Sequence, residues 1–170
     1  KPYSFATLYD VRGVQFYGCT FRNTAPASYA ASDRGKGIIS IDAGYTVSLF
    51  SPTQLCKFEN LYYGIDASNS ANLNSIYVKK AEFTGNSQGM LLTNNKNATI
   101  ISNKFDVGFP NDIDPYGLYL NYCRGYQVED NDFISSQNQF SYGSIVSNAD
   151  VNNKVYRNRF HDNSIGFQYQ

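Results

Sequence analysis

The sequence predicts an all-β chain wound as a parallel β-helix, and two markers that repeat in step predict it. The first is a three-residue pattern ending in phenylalanine: Cys19-Thr-Phe21, Cys56-Lys-Phe58, Ala81-Glu-Phe83, Asn103-Lys-Phe105, Asn131-Asp-Phe133 and Asn158-Arg-Phe160. Its phenylalanines lie 37, 25, 22, 28 and 27 residues apart. The second is a glycine that opens a short apolar stretch, at Gly37, Gly64, Gly89, Gly117, Gly143 and Gly166. Self-similarity at such a period marks a solenoid, in which each repeat buries its apolar face only against its neighbours. The expectation is a single domain over residues 1–170, of about six to seven coils of 22–28 residues, with its insertions at one corner.

Within each repeat the apolar stretches are short, as at Ile38-Ile-Ser-Ile41, Ile65-Asp-Ala67, Met90-Leu-Leu92 and Leu118-Tyr-Leu120. None sustains the i, i+3, i+4, i+7 spacing of an amphipathic helix. Turn-forming segments such as Asn69-Ser-Ala-Asn72, Asn94-Asn-Lys-Asn97 and Asn148-Ala-Asp150 separate them. Short strands stacked coil on coil place equivalent residues about 4.8 Å apart in ladders. Two residues before each Phe the ladder runs Cys19, Cys56, Ala81, Asn103, Asn131, Asn158, so stacked asparagine amides are expected to bond along the axis. One residue before each Phe the side chain points outward, and that ladder runs Thr20, Lys57, Glu82, Lys104, Asp132, Arg159. Its signs alternate from the second coil on, which fixes the register. A third ladder, five residues after each Gly, reads Asp42, Asn69, Asn94, Tyr122, Asn148 and is expected to form turns. At the start, Asp10-Val-Arg-Gly-Val-Gln-Phe16 aligns with Tyr122-Cys-Arg-Gly-Tyr-Gln-Val128, and a glycine strand closes the chain at Gly166–Gln170. Neither end reads as an amphipathic capping helix, so the chain is expected to be a segment of a longer solenoid, with uncapped ends that join further coils or self-associate end to end.

The alternation of Asn-x-Phe with Gly-Ile or Gly-Leu strands resembles the right-handed parallel β-helix repeat superfamily, which includes pectate lyases, polygalacturonases, alginate epimerases and phage tailspikes. Several stretches, among them Cys19-Thr-Phe-Arg-Asn23, Gly37-Ile-Ile-Ser-Ile-Asp-Ala43, Tyr63-Gly-Ile-Asp-Ala67 and Tyr116-Gly-Leu-Tyr-Leu120, are similar to β-helix regions of very large secreted bacterial proteins with C-terminal sorting signals. The resemblance covers nearly the whole chain. It implies the fold, and an extracellular or bacterial cell-surface location. It does not by itself imply an activity.

Composition narrows the partners. Fourteen basic and fourteen acidic residues cancel, which leaves no charge excess to draw nucleic acid or anionic lipid. No apolar run reaches the roughly 18 residues of a membrane span. Three cysteines do not make a disulfide framework. Cys19 and Cys56 share a ladder at a spacing that a disulfide could bridge, but parallel stacked side chains favour two buried thiols. His161 stands alone, which argues against a triad or a zinc site.

Catalysis on an acidic polysaccharide would need convergent carboxyls, with calcium where a lyase stabilises a carbanion. The outward acids Glu59, Glu82, Asp106, Glu129, Asp130 and Asp132 mostly have a basic neighbour and read as a charge ladder. Asp112 and Asp114 are the pair the sequence offers for catalysis or for calcium. No cofactor other than calcium is implied.

The insertions carry the binding expectation. The gap from the Phe to the next Gly is six residues at its minimum and 16, 12 and 10 in three coils, which gives loops over 24–36, 106–116 and 134–142. Loops of a solenoid that share a corner form one recognition edge. These present Tyr29, Asp33, Arg34, Phe109, Tyr116, Phe140 and Tyr142, and aromatic rings beside amides and carboxylates suit sugars. The coils between the first two loops lack insertions and are expected to floor a cleft. The leading expectation is therefore a non-catalytic scaffold or adhesion module that binds a polysaccharide or cell-surface glycan. The alternatives are a polysaccharide lyase, hydrolase or epimerase, and a purely structural spacer.

Overall fold

The computed structural model describes residues 4–24, 29–70, 74–108, 112–137, 140–150 and 152–170. The chain turns through three walls in a fixed order. β1 (Ser4–Tyr9), β2 (Arg12–Tyr17) and β3 (Thr20–Arg22) lie one on each wall. The same order recurs in β4 (Lys36–Ile41), β5 (Gly44–Ser48) and β6 (Cys56–Glu59), then in β7 (Tyr63–Ser68), β8 (Ile76–Lys79) and β9 (Ala81–Asn86). It continues through β10 (Gln88–Thr93), β11 (Thr99–Ile101) and β12 (Lys104–Val107), and through β13 (Tyr116–Asn121), β14 (Gln127–Glu129) and β15 (Asp132–Ile134). β16 (Tyr142–Ser147), β17 (Lys154–Tyr156) and β18 (Arg159–His161) follow, and β19 (Ile165–Tyr169) returns to the first wall. All the strand pairs in the three walls are parallel, as stacked coils require. Among the described residues the only helix is one 3-10 turn over Ala31–Arg34, and no helix is long and apolar enough to cross a membrane.

Alternation along each strand sends one set of side chains into the bore. Ile38, Ile65, Met90 and Leu118 align there on the first wall, and Val47, Val78, Ile100 and Val128 on the second, all essentially without exposure. The third wall contributes a continuous stack of rings. Phe21, Phe58, Phe83, Phe105, Phe133 and Phe160 lie face to face with centroids 4.6–5.1 Å apart and planes within 14° of parallel. The spacing of the rings is that of the strands themselves.

The glycine marker is explained by this stack. A Cβ on Gly64 would lie 2.5 Å from the Gly89 carbonyl oxygen and 2.6 Å from Phe83 Cδ1. On Gly89 it would lie 2.3 Å from the Gly117 oxygen and 2.8 Å from Phe105 Cδ1. These glycines are extended, so the requirement is for space and not for a special backbone angle. Where the first wall meets the phenylalanine column, ring and backbone together occupy the volume of any side chain.

The corners turn on single residues in the left-handed region. Between the first and second walls these are Asp10, Asp42, Asn94, Tyr122 and Asn148. The turn-forming ladder expected from sequence is therefore found at four of its five positions. Asn69 departs from it: it is buried, and its Nδ2 donates to Asn95 Oδ1 at 2.8 Å. Between the second and third walls the left-handed residues are Gly18, Lys80, Ser102, Asp130 and Arg157. Outside Gly, Asn and Asp this conformation costs roughly 1–2 kcal/mol per residue, and the coils stacked above and below hold it in place.

The next residue in each of those turns points inward, and where it is asparagine it satisfies the backbone of its neighbours; Ala81 fills the place with a methyl group alone. Asn131 Oδ1 accepts from the Asn103 N–H at 2.9 Å, and Asn131 Nδ2 donates to the Ile100 carbonyl at 2.9 Å and to Asn158 Oδ1 at 2.9 Å. Asn103 repeats the pattern toward Ala81 and Val78. Cys56 does the same work with sulfur. Its Sγ accepts from the Cys19 N–H at 3.3 Å and donates toward the Phe16 and Ser48 carbonyls at 3.3 and 3.1 Å. Cys123, which the sequence left without a role, fills at the first corner the place Asn95 holds one coil earlier: both donate to the carbonyl two residues back and to the coil below. All three cysteines are free thiols.

Gly89→Ala is expected to destabilise the fold by about 1–3 kcal/mol, as overpacking of a filled core does. Removing the ring as well, in Gly89→Ala/Phe105→Leu, should not restore stability, because the nearest atom to the new Cβ is the backbone oxygen of Gly117. Urea unfolding midpoints of the two variants check both outcomes.

Candidate functional site: a groove along the loop edge

The three insertions leave the solenoid at the corner between the third and first walls, where β3 leads to β4, β12 to β13 and β15 to β16. Elsewhere that corner is short. β9 and β10 are joined through Ser87 alone, so the chain there lies flat against the core. The first and second loops consequently stand on either side of a low floor.

Arg34 anchors the first loop. It is 2% exposed, and its Nη1 donates to Asn60 Oδ1 and its Nη2 to the Tyr29 carbonyl, both at 3.1 Å. Asn23 Nδ2 in turn donates to the Arg34 carbonyl, and Asn60 Nδ2 to the Asn23 carbonyl at 2.7 Å. Burial draws the guanidinium pKa down, and the carboxylate of Asp112 in the second loop works in the opposite direction. The two loops are thus coupled electrostatically across the coils between them. Arg34 is a post inside the first loop and does not face solvent, unlike Asp33 and Tyr29, which are exposed.

Between the loops lies a hollow of about 310 Å³, walled by Ala31 and Ser32 on one side and by Asp112 and Ile113 on the other, over Tyr62 and Gln88. A second hollow of about 270 Å³ adjoins it and shares Gln88 and Ile113. It continues along the outer face of the first wall past Tyr116, Tyr119 and Tyr142 to Gln168. Strand register builds this row. Residues that precede the glycines face outward, so Tyr63, Gln88, Tyr116 and Tyr142 stand on successive coils. Three positions on, Tyr119 and Ile145 do the same.

The rings are held by contacts with each other. Tyr116 and Tyr119 meet edge to face at 5.5 Å, Phe140 and Tyr142 at 5.2 Å, and Tyr62 and Tyr63 at 4.6 Å. The Tyr116 hydroxyl donates to Gln88 Oε1 at 2.9 Å, and burial followed by the neighbouring Tyr63 pushes its pKa well up. Tyr116 is buried, Tyr142 and Tyr119 are half-buried, and Phe140 is exposed. Lys36 lies over the Tyr63 ring at 4.7 Å, with its ammonium 2.6 Å from Asp66. Ile113, at 85% exposure, stands between the two hollows. It also parts the acidic pair: Asp112 lines the first hollow and Asp114 the second. Phe109 lies outside the described residues.

A larger hollow of about 460 Å³ lies at the opposite corner, over Glu82, Asp130, Asp132 and Arg159. Its charges already face each other. The sign-alternating ladder read from sequence is in register coil by coil, from Thr20 through Lys57, Glu82, Lys104 and Asp132 to Arg159. Arg159 Nη2 meets Asp132 at 2.9 Å, and Lys57 meets Glu82 at 3.6 Å. The other outward acids are matched too: Glu59 with Arg22, Glu129 and Asp130 with Arg157, and Asp106 with the Ser136 N–H. The carboxyls that gather on this surface are matched by basic or backbone partners. Among the described residues no three of His, Cys, Asp and Glu gather as metal ligands, and His161 is exposed on β18.

Partners hold three of these carboxyls below the usual carboxylate range. The Tyr156 hydroxyl acts first on Glu129, Arg157 on Asp130 and Arg159 on Asp132. Each is still ionised in the folded chain at a pH where the unfolded chain has bound a proton. Their support is complete above the ordinary range and is lost as pH falls through the lowered values. Stability is therefore expected to hold from neutral pH to about 5 and to drop below about 4. In Asp132→Asn that acid slope should be shallower. Urea midpoints measured across pH, at low salt where exposed pairs are least screened, check this.

The model of one protein family, described as NosD: Periplasmic copper-binding protein (NosD), matches residues 8–170. Comparisons with curated proteins and with solved structures found no match.

Proposed function

The chain belongs to the NosD family, and from that premise we propose that it is a non-catalytic binding module of the periplasm or cell surface whose loop-edge groove holds a carbohydrate. The observation that carries this reading is the composition of the groove. It joins two hollows over a row of outward tyrosines, with Gln88 between them and a carboxylate at each. A sugar presents apolar ring faces and rim hydroxyls, and half-buried tyrosines beside amide and carboxylate acceptors match both. With its Oε1 accepting from Tyr116, Gln88 offers its amide hydrogens to either hollow. Each hollow of the groove holds a single carboxylate, and Asp130 and Asp132 in the hollow at the opposite corner are paired with Arg157 and Arg159, which supports binding over hydrolysis or elimination. Adhesion or display at the cell envelope is the role this groove would serve.

Copper belongs to the description of the family. The side chains described in this chain do not fit a copper centre. Copper(I) favours thiolates and thioethers, and copper(II) favours several imidazoles or carboxylates in one plane. Cys56 is buried with its sulfur engaged by three backbone groups, and burial raises its thiol pKa, which opposes the thiolate a metal needs. Met90, the one methionine in the sequence, is sealed in the bore. Addition of stoichiometric copper(I) or copper(II) is expected to leave the melting temperature unchanged within about 1 °C. A rise of several degrees would show a site made by other residues.

The carbohydrate reading is tested by exposing the purified protein to an array of bacterial and plant polysaccharides, with calcium and with chelator. Selective retention is expected, independent of calcium because Asp112 and Asp114 serve different hollows. Tyr119→Ala and Tyr142→Ala should each weaken it by about tenfold, with the circular dichroism of the fold retained. Absence of retention under both conditions would favour a passive solenoid spacer.

A further inference from the structure

Resting on the carbohydrate reading, we infer that the second hollow of the groove takes a sugar ring that carries an ammonium group, as a de-N-acetylated hexosamine does. The hollow, of about 270 Å³, has room for one such ring. Three tyrosines, Tyr116, Tyr119 and Tyr142, line it together with the carboxylate of Asp114. Tyr116 and Tyr119 meet at 89°, so their rings form a corner and not a flat platform. The face of a tyrosine ring is the negative part of its quadrupole and attracts a cation. A corner of such rings beside a carboxylate is an arrangement that holds an ammonium group. Ile113 and Ile145 complete the lining and suit the C–H faces of the sugar.

Among the described residues no lysine or arginine lines this hollow, and Asp114, which is exposed, has no hydrogen-bonding or ionic partner. The same wall shows what fills such a place when the chain supplies the cation. Lys36 lies over the Tyr63 ring at 4.7 Å, with its ammonium 2.6 Å from Asp66. Tyr63 belongs to the row that continues through Gln88 to Tyr116 and Tyr142. Asp66 belongs to the row that continues through Leu91 to Tyr119 and Ile145. One coil before Tyr63 the first row holds Lys36, and one coil before Tyr116 it holds Gln88. Gln88 is neutral, and its Oε1 is taken by the Tyr116 hydroxyl at 2.9 Å. Tyrosine rings and a carboxylate thus recur two coils on without the lysine. A sugar ammonium would supply that charge, and its N–H groups would donate to Asp114 in bonds charged on both sides, the stronger kind.

Isothermal titration at slightly acidic pH, where sugar amines carry charge, separates the outcomes. The probes are β-1,4-linked tetramers of glucosamine and of N-acetylglucosamine, and choline as a cation without a sugar. At low salt the glucosamine tetramer should bind more tightly than the acetylated one by about tenfold or more, and the difference should shrink as salt is added. Choline should bind more weakly than the glucosamine tetramer by about tenfold or more. Asp114 has a φ of 49°, a conformation asparagine adopts readily, so Asp114→Asn should fold normally. This variant should bring the two tetramers to within about threefold of each other. Tyr119→Leu should also reduce the preference, whereas Tyr119→Phe, which retains the ring face, should keep it. Acetylated tetramer that binds as tightly as the amine, or a preference that survives Asp114→Asn, would overturn the ammonium inference and leave the carbohydrate reading standing. Choline that binds as tightly as the glucosamine tetramer would overturn the sugar as the carrier of the charge. If neither tetramer binds while the array retains another polysaccharide, this inference alone fails. If the array retains none either, the carbohydrate reading fails and this inference fails with it.

Discussion

The contact between each phenylalanine ring and the glycine of the first wall is the constraint on which the coil depends. The ring of Phe83 occupies the place of a Gly64 side chain, and the same holds for Phe58 at Gly37, Phe105 at Gly89 and Phe133 at Gly117. The first-wall position must therefore stay glycine, and because the next glycine carbonyl lies as close as the ring, shrinking the ring alone does not free it. A ring at one position requires the absence of a side chain at the other. This pairing draws the third wall against the first, brings the next glycine carbonyl to 2.3–2.6 Å of the same point, and leaves the corner between the walls with no room for variation inside. Variation is pushed outward. The inserted loops leave the chain after the phenylalanine strand and rejoin it before the glycine strand, so every insertion is tethered at both ends by the most constrained contact in the fold.

The polar interior follows from the turning of the chain. Three walls need three corners, and each corner strips backbone groups of their sheet partners. Asn103, Asn131 and Asn158 restore those bonds at one corner, Asn69 and Asn95 at another. A buried N–H or carbonyl without a partner costs more than a formed bond gains, so the requirement at these positions is for a short side chain that can accept from one coil and donate to the next. Cysteine meets it. That is why Cys56 stands in a row with asparagines, and why Cys123 stands one coil after Asn95, without any redox or metal role being needed to account for them.

The groove has a different origin from the core. Its rings sit on the outward positions of strands whose inward positions are fixed by packing, and they are carried along with the register at no cost to the bore. Tyr63, Gln88, Tyr116 and Tyr142 are adjacent because the coils beneath them are. The loops add walls: Arg34 and its partners stiffen the first, while Ile113 and the two aspartates shape the second.

Most of the fold was legible in the residues. The Phe and Gly markers set the period, and the alternating charges from Lys57 to Arg159 set the register, because both are properties of ladders and a ladder repeats in sequence at the period of the coil. The placement of the insertions was legible for the same reason: their lengths are read as departures from a known gap. What could not be read were properties that depend on how neighbouring coils and loops fold over one another. Arg34, counted from sequence among the surface groups of a loop, is enclosed because that loop closes back on Asn60, a residue of the next coil. Tyr116 is covered by Tyr63 and Tyr119 on either side of it. Asp112 and Asp114, which alternate in sequence and could face one way only in an extended loop, line separate hollows, with Ile113 and a left-handed backbone at Asp114 between them. Left-handed turns at Lys80, Ser102 and Arg157 were equally hidden, since no local preference of those residues calls for them; the stacked coils impose the geometry. The sequence by itself determined the repeat, the register and the edge at which the loops emerge, all consequences of a period that recurs along the chain. Only the tertiary structure decided which loop side chains face inward and which line the groove, because that depends on packing across coils, where sequence separation carries no information.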